Sequence, residues 1–300
     1  MAGRNDMDFS YTTVDRFFRA SIGEMGDFSG AWYDGDFSLT LEQAQRAKHE
    51  RITRFLHIER GSRVLDMSCG WGPFLNFVRE IGASGLGVTL SEGQAQSCRK
   101  NGLDVYNRDC RALTPDDFGL FDAVVSIGGF EHFVSIEDRQ AGRQDDVYRA
   151  FFQTVHALLR PGGRFYMQTM VFGAHMIPFE QIDARAPKGS DAYLLAQLRI
   201  QFPGSCLPFG PDQVIDDAAP LFSLEFKSSG RLDYIETIAQ WKKRYRTFTP
   251  RRIGLFASLV PAYLTSPNFR KLVGATRGSP NRVCFQRELL DHYRLVFRRN

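Results

Sequence analysis

From residue 63 onward, short apolar runs alternate with stretches in which apolar residues recur at helical spacing. RVLDM (63–67) predicts a buried strand, and PFLNFVREI, opened by Pro73, predicts the helix that follows it. GLGVTL (85–90), LDVYNRD (103–109) and FDAVVSI (121–127) predict three more strands, with SEGQAQSCRK as the helix between the first two of them. VYRAFFQTVHALL again has helical spacing, RPGG turns the chain, and RFYMQTM (164–170) is a fifth strand. LFSLEF (221–226) and HYRLVF (292–297) add two late ones. Strands alternating with helices wind a parallel sheet through right-handed crossovers. The expected fold is therefore α/β: a doubly wound, mostly parallel, seven-stranded sheet with helical additions. Between residues 171 and 220 the alternation is lost and prolines punctuate the chain, which predicts an excursion over the sheet. The expected organisation is a single domain over residues 1–300: a helical cap (1–60), the sheet core (61–170), the covering excursion (171–220), and C-terminal helices with the last strands (221–300).

Composition narrows the class. With 300 residues, 43% hydrophobic and 24% charged, the chain can bury one large core and has no signature of disorder. Cys69, Cys98, Cys110, Cys206 and Cys284 are odd in number, widely spaced and never arranged as C-x-x-C. Neither a disulfide framework nor a zinc knuckle is indicated, and a reducing cytoplasm is the expected compartment. The histidines show no metal spacing such as H-E-x-x-H. MAGRNDMDFS lacks a basic flank followed by an apolar stretch, and IGLFASLVPAYL (253–264) is short for a bilayer and broken by Pro261, so neither secretion nor a membrane span is expected.

Charge is uneven along the chain. Residues 227–300 hold 16 Lys or Arg against 4 Asp or Glu, whereas the whole chain carries a net +4. No zinc finger, RNP-like stretch or helix-turn-helix pattern accompanies that basic end, so nucleic acid is not the expected partner. Anionic lipid headgroups at a peripheral membrane contact, or an acidic acyl carrier, fit the charge; a plain solvated helical face fits it too.

VLDMSCGWGPF (64–74) carries the first sign of chemistry. In an open α/β sheet the ligand sits at the carboxyl ends of the strands, and the first strand-to-helix turn approaches it most closely. The small residues Ser68, Cys69, Gly70 and Gly72 let that backbone reach a ligand. The run is not G-x-G-x-x-G and has no phosphate-loop lysine. Asp66, at the strand's end, suits a cationic ligand instead, such as a sulfonium with a free amino group. A tight turn that only packs the helix is the other reading of the same residues.

In order and spacing, VLDMSCGWG, GVTLSEGQ, RDCRAL, FDAVVSIGGFEHF, LRPGGRFYMQT, FPGSCLP and DYIETIAQWKKRY resemble the cyclopropane fatty acid synthase and mycolic acid cyclopropane synthase family of S-adenosylmethionine (SAM) dependent methyltransferases. The resemblance runs from FSYTTVDRFF to DHYRLVFRR. It implies a Rossmann-like class I methyltransferase fold, SAM as cofactor, and an unsaturated lipid or acyl chain as substrate. It also implies that Gly70 and Gly72 pass beneath the methionine part of SAM, and that Thr89, Leu90 and Gln94 lie by the adenosine and ribose. Asp109, Cys110 and Arg111 would border the adenine, and Phe28 and Ser29, in FSGAWY, would close over the cofactor. Ser68 stands where the family's turn is rich in glycine; its hydroxyl is expected to donate to SAM.

Family members transfer a methyl group from a sulfonium to an alkene, leaving a carbocation that must lose a proton to give a cyclopropane or methylene product. The resemblance implies bicarbonate as proton acceptor, held by a cysteine backbone, a glutamate, a histidine and a tyrosine. Glu131 in GGFEHF and Tyr234 in DYIETIAQW match that cradle, while the cysteine position falls on Gly30 and the histidine position on Gln168. Two options stay open: bicarbonate binds differently, or another base works here. His132, directly after Glu131, is the candidate base; a Glu131–His132 pair that only buttresses the strand end is the plainer reading. His49, His57, His156, His175 and His292 read as structural or surface residues. FVSIEDRQAGRQDDVYRAFF, with extra polar residues relative to the family, reads most simply as a solvated loop, with a lid beside the substrate mouth as the other reading. Two other classes remain: a small-molecule N-methyltransferase using the Glu131–His132 pair, as in plant enzymes that resemble this family, and a SAM-binding protein without catalysis.

Overall fold

The computed structural model describes residues 22, 23, 25–247, 249–276 and 278–300, without the side chains of 250–252. The elements in chain order are α1 (Leu41–Phe55), β1 (Arg63–Asp66), α2 (Pro73–Glu80), β2 (Ser84–Thr89), α3 (Glu92–Lys100), β3 (Asp104–Asn107), α4 (Pro115–Phe118) and β4 (Phe121–Ile127). They continue with α5 (Ile136–Gln140), α6 (Gln144–Leu158), β5 (Leu159–Phe172), α7 (Asp191–Gln201), α8 (Pro211–Ala218), β6 (Phe222–Ser229), α9 (Arg231–Arg246), α10 (Pro250–Thr265), α11 (Pro267–Thr276), α12 (Pro280–Gln286) and β7 (Leu290–Arg299). The strands form one seven-stranded sheet in the order β3-β2-β1-β4-β5-β7-β6, with β7 antiparallel to both of its neighbours. Each expected strand is present. RPGG, expected as a turn before the fifth strand, is taken up inside β5 as a bulge, where pairing with β4 jumps from Phe121–Leu159 to Ala123–Arg164.

Apolar residues on alternate strand positions face two helical layers. On one face, Ile52 and Leu56 beside α1 and Phe74 and Val78 of α2 pack on Val64, Val125, Tyr166 and Val296. On the other, Phe151, Phe152 and Val155 of α6 and Val214 and Ala218 of α8 pack on Leu65, Val124, Phe165 and Leu295. A third cluster closes over the carboxyl ends of the strands. It joins Leu194 and Leu195 of α7, Ile238 and Trp241 of α9 and Phe285 of α12 to Ala31, Tyr33 and Leu41.

Three expectations change. The cap over residues 1–60 lies partly outside the described residues (1–21 and 24), and α1, within it, is a sheet-flanking helix because Ile52 sits on the sheet and only its first turn joins the cap. The excursion covers the site with α7, but α8 returns to the sheet layer, since Val214 and Ala218, four apart, bury one face against α6. The stretch after Glu131 is no solvated loop: Ser135 caps α5 by accepting from the Asp138 N–H at 2.9 Å, and Arg143 pairs with Asp138 at 2.7 Å. Among the described residues no helix is long and apolar enough to cross a membrane.

Candidate active site

β1 ends on Asp66, and the chain turns through residues 67–72 into α2. The Met67 N–H donates to the Val125 carbonyl at 2.9 Å, the Cys69 N–H to the Val88 carbonyl at 3.1 Å and the Gly72 N–H to the Cys69 carbonyl at 2.8 Å. Gly70, at φ +54°, is the bare point of this turn: a Cβ there would project into open space. Gly72, at φ +74°, is glycine for packing, because a Cβ would strike Leu103 and come within 3.2 Å of Cys98 Sγ. The open space over Gly70 leaves its backbone approachable by a ligand.

Ser68 departs from its expected role. Its Oγ donates to the Ile127 carbonyl at 3.3 Å and accepts from the Ile127 N–H at 3.1 Å, so the hydroxyl staples the exit of β1 to the end of β4 rather than facing a cofactor. Asp66 is likewise turned inward. It is 2% exposed, accepts from the Ser68 N–H at 3.1 Å, and burial pushes its carboxyl up to about 7. Its direct effect is on the turn.

At the end of β2, Thr89 Oγ1 donates to Gln94 Oε1 at 2.8 Å and accepts from the Ser91 N–H at 3.2 Å, while Leu90 is 64% exposed. After β3, Asp109 takes an ion pair from Arg111 at 2.6 Å, and those hydrogen bonds hold its carboxyl below the usual range. Arg111 is thereby committed, with its guanidinium also 5.5 Å from the Phe133 ring centre. Cys110 sits in the core and burial pushes its thiol up to about 12, so of the expected adenine trio Asp109 and Arg111 are paired with each other and the Cys110 side chain faces the interior.

The segment preceding α1 is pinned by a buried polar cluster that sequence reasoning missed. Asp27 accepts from Lys48 Nζ at 2.6 Å and from Ser29 Oγ at 2.5 Å, and lies 3.1 Å from His49 Nε2. Burial alone would raise the Asp27 carboxyl, but Lys48 and His49 outweigh it and hold it well below the usual range. Ser29, expected at the cofactor, is locked in this cluster and also accepts from Lys48 at 2.5 Å. Phe28 stays at the surface side, stacked on Trp241 with ring centres 4.9 Å apart. A signal was present in the sequence: Leu41, Ala44, Gln45, Lys48, His49 and Ile52 form one buried stripe of α1, with two ionisable groups where apolar residues belong. The same segment is held from the other side. The Ala31 N–H donates to Thr237 Oγ1 at 3.0 Å, and buried Arg294 bridges the Ala31 carbonyl at 2.8 Å and Asp233 at 2.7 Å.

Glu131 follows β4 and is buried, accepting from the Met170 N–H at 2.7 Å; burial pushes its carboxyl up to about 8. His132 diverges from it. Its Nδ1 lies 3.1 Å from Ser205 Oγ and its ring 5.9 Å from Phe202, so the expected Glu131–His132 pair does not form. Gln168 is a strut: its Nε2 donates to the Gly30 carbonyl at 2.9 Å, and its Oε1 accepts from the Tyr166 hydroxyl at 3.0 Å. Tyr234 is half-buried beside the same loop, and desolvation of its phenol followed by the Glu131 charge raises it above the ordinary value. A Cβ on Gly30 would lie 3.3 Å from Tyr234 Cγ and 3.1 Å from His292 Cε1. Glu131, Gln168, Gly30 and Tyr234 are thus gathered around the β5 end, and His292 joins them unexpectedly. Around the position of the bicarbonate cradle implied by the resemblance, Gln168 gives one amide N–H and its Oε1 to protein partners, and the Tyr234 and His292 rings line the space beside Gly30.

The family model described as mycolic acid cyclopropane synthetase matches residues 2–260. The chain is 30% identical over 224 residues to the cyclopropane-fatty-acyl-phospholipid synthase of Escherichia coli (strain K12), covering 73% of this chain and 50% of that protein. It thus spans about half the length of that relative. Over 257 residues it is 28% identical to cyclopropane mycolic acid synthase 1 of Mycobacterium tuberculosis (strain ATCC 25177 / H37Ra), covering 82% and 83% of the two chains. The solved structure of the cyclopropane synthase MmaA2 from Mycobacterium tuberculosis superposes with a TM-score of 0.75 at 22% identity, over 98% of this chain and 97% of that one. Mycolic acid cyclopropane synthase CmaA1 complexed with SAH and CTAB gives 0.74 at 24%, with the same coverage. The fold is that of the class I SAM methyltransferases, and the chain belongs to the mycolic acid cyclopropane synthetase family.

Proposed function

We propose that this protein is a SAM-dependent methyltransferase that delivers a methyl group to a carbon–carbon double bond of a lipid-like acyl chain, with loss of a proton from the methylated product. The observation that carries this reading is the bare Gly70 backbone at the mouth of the sheet in a chain of the cyclopropane synthetase family. SAM supplies, when bound, an electrophilic methyl on a sulfonium. The residues that would hold it are the Gly70 backbone, the Thr89–Gln94 pair, Leu90 and Asp109, all at carboxyl ends of β1 to β3.

The chain's own part is positioning and shielding. The apolar cap of α7, α9 and α12 excludes water from the strand ends. Aromatic faces such as Tyr234 tolerate a transient cation on the substrate. Holding donor and alkene in line supplies about 7–11 kcal/mol at the favourable limit. Glu131, protonated near neutral pH by its burial, orients rather than repels a neutral substrate. Delivery from an anionic lipid surface is supported by α10 and α11, where Ile253, Val260 and Leu264 are exposed beside Arg270 and Lys271; an acidic acyl carrier would meet the same charges.

Incubation with methyl-labelled SAM and three acceptors tests the reading: vesicles of unsaturated phosphatidylglycerol, vesicles of its saturated counterpart, and a panel of small amines. Label is expected in the unsaturated lipid alone. Label confined to amines would make the protein an N-methyltransferase and overturn the proposal.

A further inference from the structure

From Thr237 to Arg287 the chain runs for 51 residues without an Asp or Glu while carrying 11 Lys or Arg. α10 and α11 lie inside this stretch. One side of α10 is packed: Leu259 is buried with Phe269 of α11, with Tyr245, Ala262, Leu272 and Val273 around them, and the Phe256 ring meets that of Tyr245 edge-on at 5.2 Å. Another side faces solvent with apolar residues. Ile253, Ala257, Val260 and Leu264 are exposed, Leu264 to 69%. At 3.6 residues per turn they fall within an arc of about 60°, one aliphatic stripe about three turns long. Gly254, Ser258 and Thr265 flank the stripe on one side and are small, so the aliphatic side chains stand clear of their surroundings. Arg251 and Arg252 precede the stripe in sequence. At its other end the Arg270 guanidinium donates to the Leu264 carbonyl at 2.7 Å and the Tyr263 carbonyl at 3.0 Å, with exposed Lys271 next to it in the chain. A helix of a soluble protein ordinarily turns its polar side outward; α10 turns out an apolar stripe with cations at its ends.

We propose that α10 and α11 form a docking surface for an anionic lipid bilayer, the Ile253–Leu264 stripe lying among the headgroups and the neighbouring Lys and Arg against their phosphates; the inference deepens the lipid reading above by naming the face that meets the membrane. Charge selects the occupant. A second copy of the chain would bring the same acid-free, basic stretch and be repelled. Residues 1–21 hold three Asp and three Arg, so charge does not draw them to this face. An anionic bilayer answers both features at once: a helix with an apolar stripe and basic neighbours lies in the plane of the interface, and clustered Lys and Arg are attracted to anionic headgroups. An acidic protein would answer the charge but would need a groove shaped to a protruding stripe, whereas a bilayer takes such a stripe without a matching shape. The docking pair is fastened to the helices over the strand ends. Gln201 Nε2 of α7 donates to the Ala275 carbonyl of α11 at 2.9 Å, and Tyr245, packed on α10, lies on the same helix as Tyr234 and Trp241. A docked protein therefore holds its cap, and not the opposite end of the sheet, toward the lipid.

Co-sedimentation of the full chain with vesicles, in the absence of SAM, tests this. The vesicles are unsaturated phosphatidylglycerol and unsaturated phosphatidylcholine with the same acyl chains, so that only headgroup charge differs. The protein should sediment with phosphatidylglycerol at low salt, about tenfold or more weakly at high salt, and not with phosphatidylcholine. Val260→Ser combined with Leu264→Ser should weaken binding to phosphatidylglycerol vesicles by about tenfold or more, since two exposed aliphatic side chains no longer leave water. Its SAM affinity by calorimetry, and its turnover on detergent-dispersed phosphatidylglycerol, should match wild type. Leu264→Trp keeps the stripe apolar and gives a second reading: its emission, after subtraction of the wild-type signal, should move to shorter wavelength when phosphatidylglycerol vesicles are added. A wild-type protein that ignores these vesicles, a double variant that binds them like wild type, an unmoved Leu264→Trp emission, or binding to an acidic acyl carrier protein but not to vesicles would each overturn the docking surface. A protein that labels dispersed lipid without sedimenting with vesicles loses this surface and keeps the alkene reading. One that sediments but labels only amines keeps the surface and loses that reading.

Discussion

Ser68 shows how a residue can depart from a family pattern without touching the chemistry. Its hydroxyl is consumed by both backbone groups of Ile127, and Gly129 must lack a side chain because a Cβ would fall 2.6 Å from Ser68 Cβ. Ser68→Ala should therefore cost about 1 kcal/mol of stability, the worth of a partly buried hydrogen bond, and leave SAM affinity within about threefold. Chemical denaturation and calorimetry on one preparation check both halves; a large affinity loss would put the hydroxyl at the cofactor after all. Glu131 acts differently. Its folded pKa of about 8 stands above the ordinary 4.5, so the native state keeps a proton that the unfolded chain gives up. That contribution to stability is full below pH 4.5 and lost as pH rises through 8, at about 1.4 kcal/mol per pH unit. Buried His49 and His292, lowered in the fold, act in the opposite direction. The readable quantity is the difference between wild type and Glu131→Gln, which should lose this slope between pH 5 and 8 in urea midpoints. Glu131→Gln should also lower turnover more than Gln168→Ala, by about 10²–10⁴ against a small effect, since the carboxyl can orient and pass a proton whereas the amide at 168 is a strut.

Between elements, the turn after β1 and the face of α1 carry the predictions. Gly70→Val forces a branched side chain into φ +54° and into the open space over the turn. It should cost about 1–2 kcal/mol in stability and abolish SAM binding in the folded fraction, as read by calorimetry. Undiminished affinity would move the cofactor elsewhere. On α1, Lys48→Met leaves Asp27 buried beside neutral partners, and removal of one member of a buried pair should destabilise the fold by about 3–5 kcal/mol; thermal melts measure it. The turn was legible in sequence because a small-residue run after an apolar strand is local. The pinning of residues 27–33 was not. Ala31 meets Thr237 across 206 positions and Arg294 across 263, and no window of sequence contains such a pair. His292 was hidden for the same reason: HYRLVF reads as a late strand, and only its pairing with β5 and the approach of Gly30 and Gly230 give the imidazole a place.

At the scale of the molecule, alternation of strand and helix was enough to foresee the doubly wound sheet, because each strand's apolar run is decided locally and crossover handedness by chain geometry. What covers the sheet was less legible. α7 joins the cap and α8 the sheet layer from one proline-rich stretch, a division set by which face each helix can bury. The basic C-terminal quarter is partly spent inside the fold, where Arg294 pairs with Asp233 and Arg244 with Glu42, and partly displayed beside the exposed apolar residues of α10. The central claim is that all of this serves methyl transfer to an alkene carbon. The most direct measurement is to supply SAM with a fully deuterated methyl group to the protein and unsaturated phosphatidylglycerol vesicles, and to locate the deuterium in the product by NMR and mass spectrometry. The account predicts deuterium on the carbons of the former double bond, as a ring methylene or a methyl branch, and none in the saturated lipid. Deuterium on nitrogen or oxygen, or equal labelling of saturated chains, would contradict it.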